Sequence, residues 1–249
     1  MAKKSSPQRL DALLVERGLA ESLAKAQAMI LAGEVSVDGA RADKAGTPFP
    51  QTARIEVTSR AGKYVSRGGL KLEGALEDFA IDPTARVCLD IGSSTGGFTD
   101  CLLQHGATRV YAVDVNVDQL AWKLRQDPRV TRISRNARDL RPTDVPEPID
   151  LVAIDVSFIS VSKVLPSALA AARAGADLLI LVKPQFELPR KDIAPGGIVL
   201  DPALHQKAIA AVREASAKLG LEILAEAPSR LPGAEGNQEY FLHARKPLR

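Results

Sequence analysis

Two cysteines and three histidines in 249 residues leave several chemistries without their usual reagents. Cys88 and Cys101 lack the paired spacing of a zinc site and read as packed thiols. His105, His205 and His243 are scattered and match no ligand set or catalytic triad, so no metal is expected. No apolar run approaches the roughly 18 residues of a membrane span. The start, MAKKSSPQRLD, has two lysines but no apolar stretch behind them, so neither a signal peptide nor a transit helix is expected, and the protein is read as cytoplasmic, away from membranes and monomeric. What remains is ordinary globular material, 45% hydrophobic and 25% charged, with a mean hydropathy of −0.03.

The charge is uneven. Residues 1–71 carry 12 Lys and Arg against 7 Asp and Glu, while residues 72–249 carry 21 against 23. A basic amino-terminal third hints at a polyanionic partner, although a solvated surface would look the same. Within it, RLDALLVERGL places Leu10, Leu13, Leu14 and Val15 at helical spacing and stops at Gly18. Ser22 can cap a second helix, SLAKAQAMILAG, whose apolar face would use Leu23, Ala26, Ile30 and Leu31 before Gly33 ends it. Val35 and Val37 then alternate before Asp38-Gly39, the dipeptide of a tight hairpin.

On Leu10-Asp11, Gly18-Leu19, Ser22, Ala26, Gly33, Val35, Val37 and Gly39, this stretch resembles the RNA-binding module of ribosomal protein S-four, with Leu23 where that module often has arginine. The resemblance implies phosphate contacts from Arg9, Lys25, Arg41 and Lys44, each equally readable as a solvated charge. Residues 59–71, SRAGKYVSRGGLK, are basic and glycine-bearing, and Arg67 there is a further candidate for RNA. The expected organisation is an α+β RNA-binding domain at 7–62, a basic linker at 63–70 and a second domain at 71–249.

In that second domain apolar runs at Val87–Ile91, Val110–Val115, Leu151–Val156 and Leu178–Val182 alternate with helical stretches near 97–105, 117–126 and 161–173. A helix at about 203–218 precedes LEILAEA and EYFLHAR, which a Pro- and Gly-bearing loop separates. The expectation is an α/β fold with a mostly parallel sheet and a final antiparallel hairpin, binding its ligand at the carboxyl ends of the strands.

The turn in CLDIGSSTGGFTD narrows the ligand. A P-loop needs a lysine where Phe98 stands, and the dinucleotide fingerprint needs glycine where Ser94 stands. S-adenosyl-L-methionine fits better than NAD. Asp90 suits a cationic amino group, Gly92, Gly96 and Gly97 let the backbone lie against the ligand, and Asp114 is placed for ribose hydroxyls. A turn serving only tight packing is the plain alternative.

Asp155 and Lys183 each end an apolar run, Glu239 begins the last one, and Lys71 precedes the turn. If they converge, the two lysines can lower one another's pKa so that one deprotonates a ribose hydroxyl, while Asp155 and Glu239 orient them. A salt-bridge cluster is the competing reading. An amino-directed methyltransferase would use a [DN]-P-P-[YF] loop, and DVSF lacks both prolines; a pore-forming lysin would need membrane-spanning segments.

Taken whole, VSRGGLKL, CLDIGSSTGGFTD, YAVDV, QLAWKLRQDPRV, RNARDL, DVSFIS, LVKPQFE, PGGIVLDP and GNQEYFL resemble the TlyA family, long labelled hemolysin A. Its members join an S-four-like domain to an FtsJ-like, Rossmann-like class I methyltransferase domain. The resemblance implies 2′-O-methylation of cytidine in ribosomal RNA, free or in a ribosomal subunit. Its Lys-Asp-Lys-Glu tetrad falls on Lys71, Asp155, Lys183 and Glu239. Its cofactor positions fall on Asp90, Gly92, Ser93, Ser94, Thr95, Gly96, Gly97, Phe98, Asp114 and Asn136. The loop Pro184–Leu200 is expected to border the RNA and to move.

Overall fold

A computed structural model describes residues 7–20, 22–31, 35–57, 63–194, 196–233 and 236–248, without the side chains of residues 28 and 41. The chain divides after Gly62 into two compact units. The expected helix end at Gly33, the Arg41 side chain and residues 59–62 of the basic, glycine-bearing stretch lie outside the described residues.

In the first unit β1 (Gln8–Arg9) leads into α1 (Leu10–Glu16), followed by α2 (Leu23–Leu31). Gly18 adopts φ +68° beyond the end of α1, and Lys25 N donates to Ser22 Oγ at 3.2 Å. β2 (Val35–Val37) and β3 (Ala40–Arg41) form the two-residue hairpin, with Asp38 and Gly39 both at positive φ. β4 (Pro48–Phe49) pairs with β1, and β5 (Ile55–Val57) pairs with β2. Leu10, Leu14, Ala26, Ile30, Val35 and Val37 make the core. Leu23 and Leu31, expected on the buried face of α2, are instead 52% and 81% exposed. Ala26, Met29 and Ile30 already fill the short seam available to so small a core.

The second unit begins earlier than the sequence suggested. Tyr64 is buried, Val65 N donates to Asp100 Oδ2 at 2.8 Å, and α3 (Arg67–Asp78) starts inside the expected linker. A seven-stranded sheet follows, built from β6 (Val87–Ile91), β7 (Arg109–Asp114), β8 (Val130–Ser134), β9 (Ile149–Ile154), β10 (Ala172–Val182), β11 (Glu222–Pro228) and β12 (Tyr240–Arg245). Its order is β11-β12-β10-β9-β6-β7-β8. β12 runs antiparallel to both neighbours, so the expected hairpin is present with its second strand inserted beside β10.

The period-2 alternation of strands buried on both faces builds two cores. On one face Cys88, Val110, Ala112, Leu151, Ala153, Leu179 and Leu181 meet α3, α4 (Gly97–Gln104) and α5 (Trp122–Arg125). On the other Leu89, Ile91, Val113, Val152, Ile154, Ile180 and Val182 meet α6 (Leu165–Ala171) and α7 (Pro202–Lys218). Truncating one such leucine to alanine costs about 2–5 kcal/mol.

Three expectations are corrected here. The stretch 117–126 is a 3-10 turn at Val117–Gln119 followed by the single turn α5, because Leu120 and Ala121 are extended. β8, missed in sequence, is a half-buried edge strand without a strong apolar run. The helix expected to reach 173 ends at Ala171, where β10 begins through an irregular stretch before Asp177.

Candidate active site

The strand order reverses between β6 and β9, and ligands of open α/β sheets bind beyond the carboxyl ends of strands at such a point. There the chain leaving β6 passes hard against the end of β9. Asp155 N donates to Ile91 O at 2.9 Å, and a Cβ on Gly92 would lie 2.1 Å from the Asp155 carbonyl oxygen, at φ +87°. Only glycine fits this crossing.

The turn is held from the next strand. Ser94, at φ +47°, donates its backbone N–H to Asp114 Oδ2 at 2.9 Å, and Asn116 N donates to Asp114 Oδ1 at 3.1 Å. Asp114 therefore fixes the glycine turn while keeping lone pairs for a ligand. Asp90 is fully buried. Its Oδ2 accepts from Thr99 Oγ1 at 2.6 Å, whereas Oδ1 and the neighbouring Ser93 Oγ have no partner among the described residues. Burial pushes the Asp90 carboxyl up to about 7. A buried acceptor without a donor costs about 1–3 kcal/mol, and a cationic ligand group would remove that cost.

Two cavities meet at this turn. The smaller, about 170 Å³, is lined by Arg67, Lys71, Ser93, Thr95, Gly97, Phe98 and Asp155, among others. The larger, about 1230 Å³, is lined by Asp114, Asn136, Phe158, Phe186, Arg190 and Ala194, among others. Gly92, Ser94 and Asp155 face both. Asp90 and Gly96 line neither cavity. Asn136 uses its side-chain oxygen to cap the turn at Arg138 N, and Phe98 packs on Phe241 at 6.2 Å between centroids.

The four charged candidates form two ion pairs. Lys71 Nζ donates to Glu239 Oε2 at 2.6 Å, both side chains being nearly buried. Lys183 Nζ lies 2.5 Å from Asp155 Oδ1, off the hydrogen-bonding direction, and donates to Ser157 Oγ at 2.9 Å. Each lysine is thus matched to one of the two carboxylates expected to orient the pair. Lys71 and Asp155 share the smaller cavity. Glu239 sits so close to Gly233 that a Cβ there would lie 2.7 Å from Oε1.

Sequence reasoning missed Ser157, Gly233 and Phe158 as site residues. Phe158 is 92% exposed at φ +65° and contacts Phe186 at 5.4 Å. A bulky residue held there is a backbone outlier of the kind found at functional sites. Its only sequence trace is the aromatic ring of DVSF. The loop after Lys183 does border the large cavity, and it is tethered: Val199 N donates to Asn237 Oδ1 at 2.8 Å, and Asn237 Nδ2 donates to Gly197 O at 3.0 Å.

Of the RNA candidates in the first unit, Lys25 and Lys44 are exposed, whereas Arg9 is forked onto the buried Asp11 at 3.0 and 2.6 Å. In the second unit Arg67 lines the smaller cavity and donates to Pro232 O at 3.1 Å.

Residues 64–246 match the FtsJ-like methyltransferase family, and residues 8–55 match the S4 domain. The 16S/23S rRNA (cytidine-2′-O)-methyltransferase TlyA of Mycobacterium tuberculosis is 47% identical over 95% of this chain and 89% of its own length. The chain is a TlyA-family, FtsJ-like methyltransferase. The family likewise includes the Brachyspira hyodysenteriae protein named hemolysin A, 42% identical over 94% of this chain and 98% of its own. A solved Streptococcus thermophilus structure designated a hemolysin superposes with a TM-score of 0.76 at 39% identity, covering 98% of this chain and 90% of that one. The fold and family of this TlyA-type methyltransferase imply a methyl donor of the S-adenosylmethionine type. Among the described residues no helix is long and apolar enough to cross a membrane, and no group of three or more His, Cys, Asp and Glu is placed to hold a metal.

Proposed function

We propose that this enzyme methylates the 2′-hydroxyl of a cytidine in ribosomal RNA, using S-adenosyl-L-methionine. The observation that carries the reading is Asp155, which faces both cavities while paired to Lys183, so that a donor site and an acceptor site adjoin one buried lysine. The unpaired Ser93 Oγ, which lines the smaller cavity, suits the amino end of the donor with the buried Asp90 carboxyl behind it, Asp114 suits its ribose, and Asn136 with the wall of the large cavity its base. When bound, S-adenosylmethionine supplies an electrophilic methyl group.

A ribose hydroxyl is a weak nucleophile until its proton leaves. Lys183, oriented by Asp155 and Ser157 and acting from its neutral amine form after giving up its own proton, takes the hydroxyl proton as the oxygen attacks. Lys71, held by Glu239, places positive charge beside the oxygen as it becomes anionic. Phe158 offers a π-face for the base of the target nucleotide, which must leave its stack to bring its ribose into the site. Lys25 and Lys44 on the S4 unit, with Arg67 near the cavity, contact phosphates.

Ribose-methylation mapping of total ribosomal RNA from cells with and without the gene tests this. At least one cytidine should lose its 2′-O-methyl group without the gene. Identical maps, or loss only of base methylation, would refute the reading.

A further inference from the structure

The chain has ten aromatic residues other than histidine, and only two of their rings are largely exposed, Phe158 and Trp122. Both are anchored to the glycine turn. Phe158 follows Asp155, whose backbone crosses Gly92. Trp122 opens α5, whose preceding residue donates Ala121 N to Thr95 O at 3.1 Å, and Thr95 lines the smaller cavity beside Arg67 and Lys71.

The helix carrying Trp122 is rigidly seated. Leu124 is buried against Gly96 so tightly that a Cβ on that glycine would lie 2.3 Å from Leu124 Cδ1. Leu120, also buried, closes the same contact from the other side of Trp122. The backbone under the indole is therefore fixed while its ring is 68% exposed. Arg125 places its guanidinium 5.3 Å from the indole centroid. The segment 116–135 holds five Arg and Lys against two Asp; Lys123, Arg129, Arg132 and Arg135 are paired with aspartates, whereas Arg125, beside the ring, forms no ion pair among the described residues.

An exposed aromatic face on a fixed backbone, with the guanidinium of Arg125 beside it, is an arrangement that holds single-stranded nucleic acid: bases stack on the ring and the cation meets the backbone. We propose that Trp122 is a stacking platform for a nucleotide of the RNA that flanks the methylated one. Binding energy gained there would hold the strand across the smaller cavity while Phe158 engages the target base. This inference rests on the RNA-methyltransferase reading and adds a contact surface to it.

Trp122 is the only tryptophan, so its emission reports on this site alone. The full chain, saturated with S-adenosylmethionine, is titrated with single-stranded and with folded ribosomal RNA fragments, following indole emission and, separately, the anisotropy of labelled RNA. Stacking predicts saturable quenching with the same midpoint as the anisotropy. Trp122→Ala should weaken RNA binding roughly 5- to 150-fold, the range measured for loss of one base–aromatic stack. Cofactor affinity and thermal midpoint should stay unchanged, and Trp122→Phe should recover most of the RNA affinity. RNA that binds without quenching, or binds Trp122→Ala as tightly as the parent, overturns the platform and leaves the methyltransferase reading standing. RNA that does not bind at all overturns both. Emission that shifts with protein concentration alone, matched by dimer in sedimentation, would assign the ring to a protein contact instead.

Discussion

The two ends of the sheet treat a buried aspartate in opposite ways. At the amino end of the parallel strands Asp177 accepts from Arg86 at 2.8 Å, from His243 at 2.9 Å and from Arg245 at 3.0 and 2.9 Å. Although burial opposes them, these donors hold its carboxyl well below the ordinary aspartate range. At the carboxyl end Asp90 has one hydroxyl donor, and burial dominates, lifting its carboxyl to about 7. Both are deep inside the domain, so depth alone does not separate structure from function. The difference lies in whether the protein itself completes the hydrogen bonds. Asp177 ties three elements together; Asp90 keeps a valence open beneath the turn that lines both cavities.

Substitutions at the two ends should therefore fail differently. The largest effect is expected for Lys183→Ala, whose single-turnover methyl transfer should fall about 10²- to 10⁴-fold, the usual contribution of a positioned acid or base. Its unfolding midpoint should barely move, since Asp155 has some access to water. Lys71→Ala should lose a similar share of turnover, with some stability lost as well because Glu239 is left buried without its partner, and the turnover of the double variant should be little worse than that of either single one. Asp177→Asn should do the reverse: turnover near that of the parent below its melting range, with about 3 kcal/mol of stability lost in urea because two arginines and His243 lose their acceptor.

Acid sharpens the contrast. Because the folded state lowers the Asp177 pKa, its contribution is present above the ordinary value of 3.8 and disappears as pH falls below it. The stability gap between parent and Asp177→Asn should be constant from pH 7 to about 5 and shrink below about 4. The smallest effect is expected for Arg86→Ala, about 1 kcal/mol, because that arginine is partly exposed and Asp177 keeps its other donors.

The sequence carried the carboxyl end better than the amino end. A glycine turn after an apolar run, acids at strand termini and a lysine in LVKPQFE are local patterns, and each landed where the topology directs ligands. The Asp177 cluster joins residues 86, 177, 243 and 245, far apart in sequence and without a motif, so only the register of β10 with β12 reveals it. Which carboxylate each lysine finds was illegible for a related reason. Spacing places Lys71 and Lys183 at one rim, but which partner each finds depends on Gly233 leaving room for Glu239 and on Ser157 meeting Lys183. The early start of the second unit was hidden because SRGG reads as a loop, and the helix there forms only through burial of Tyr64 and packing on α4.

The open valence at Asp90 can be tested directly by carboxyl-carbon NMR of Asp90 and Asp177 in one sample, assigned with Asp90→Asn and Asp177→Asn and followed with pH before and after adding S-adenosylmethionine. Without ligand Asp90 should titrate near pH 7, protonated below it, while Asp177 should show no titration until strong acid. Bound cationic cofactor favours the carboxylate, so the Asp90 midpoint should move down and binding at pH 6 should release a proton, with Asp177 unchanged. An Asp90 that titrates in the ordinary carboxylate range and ignores the cofactor would contradict the account.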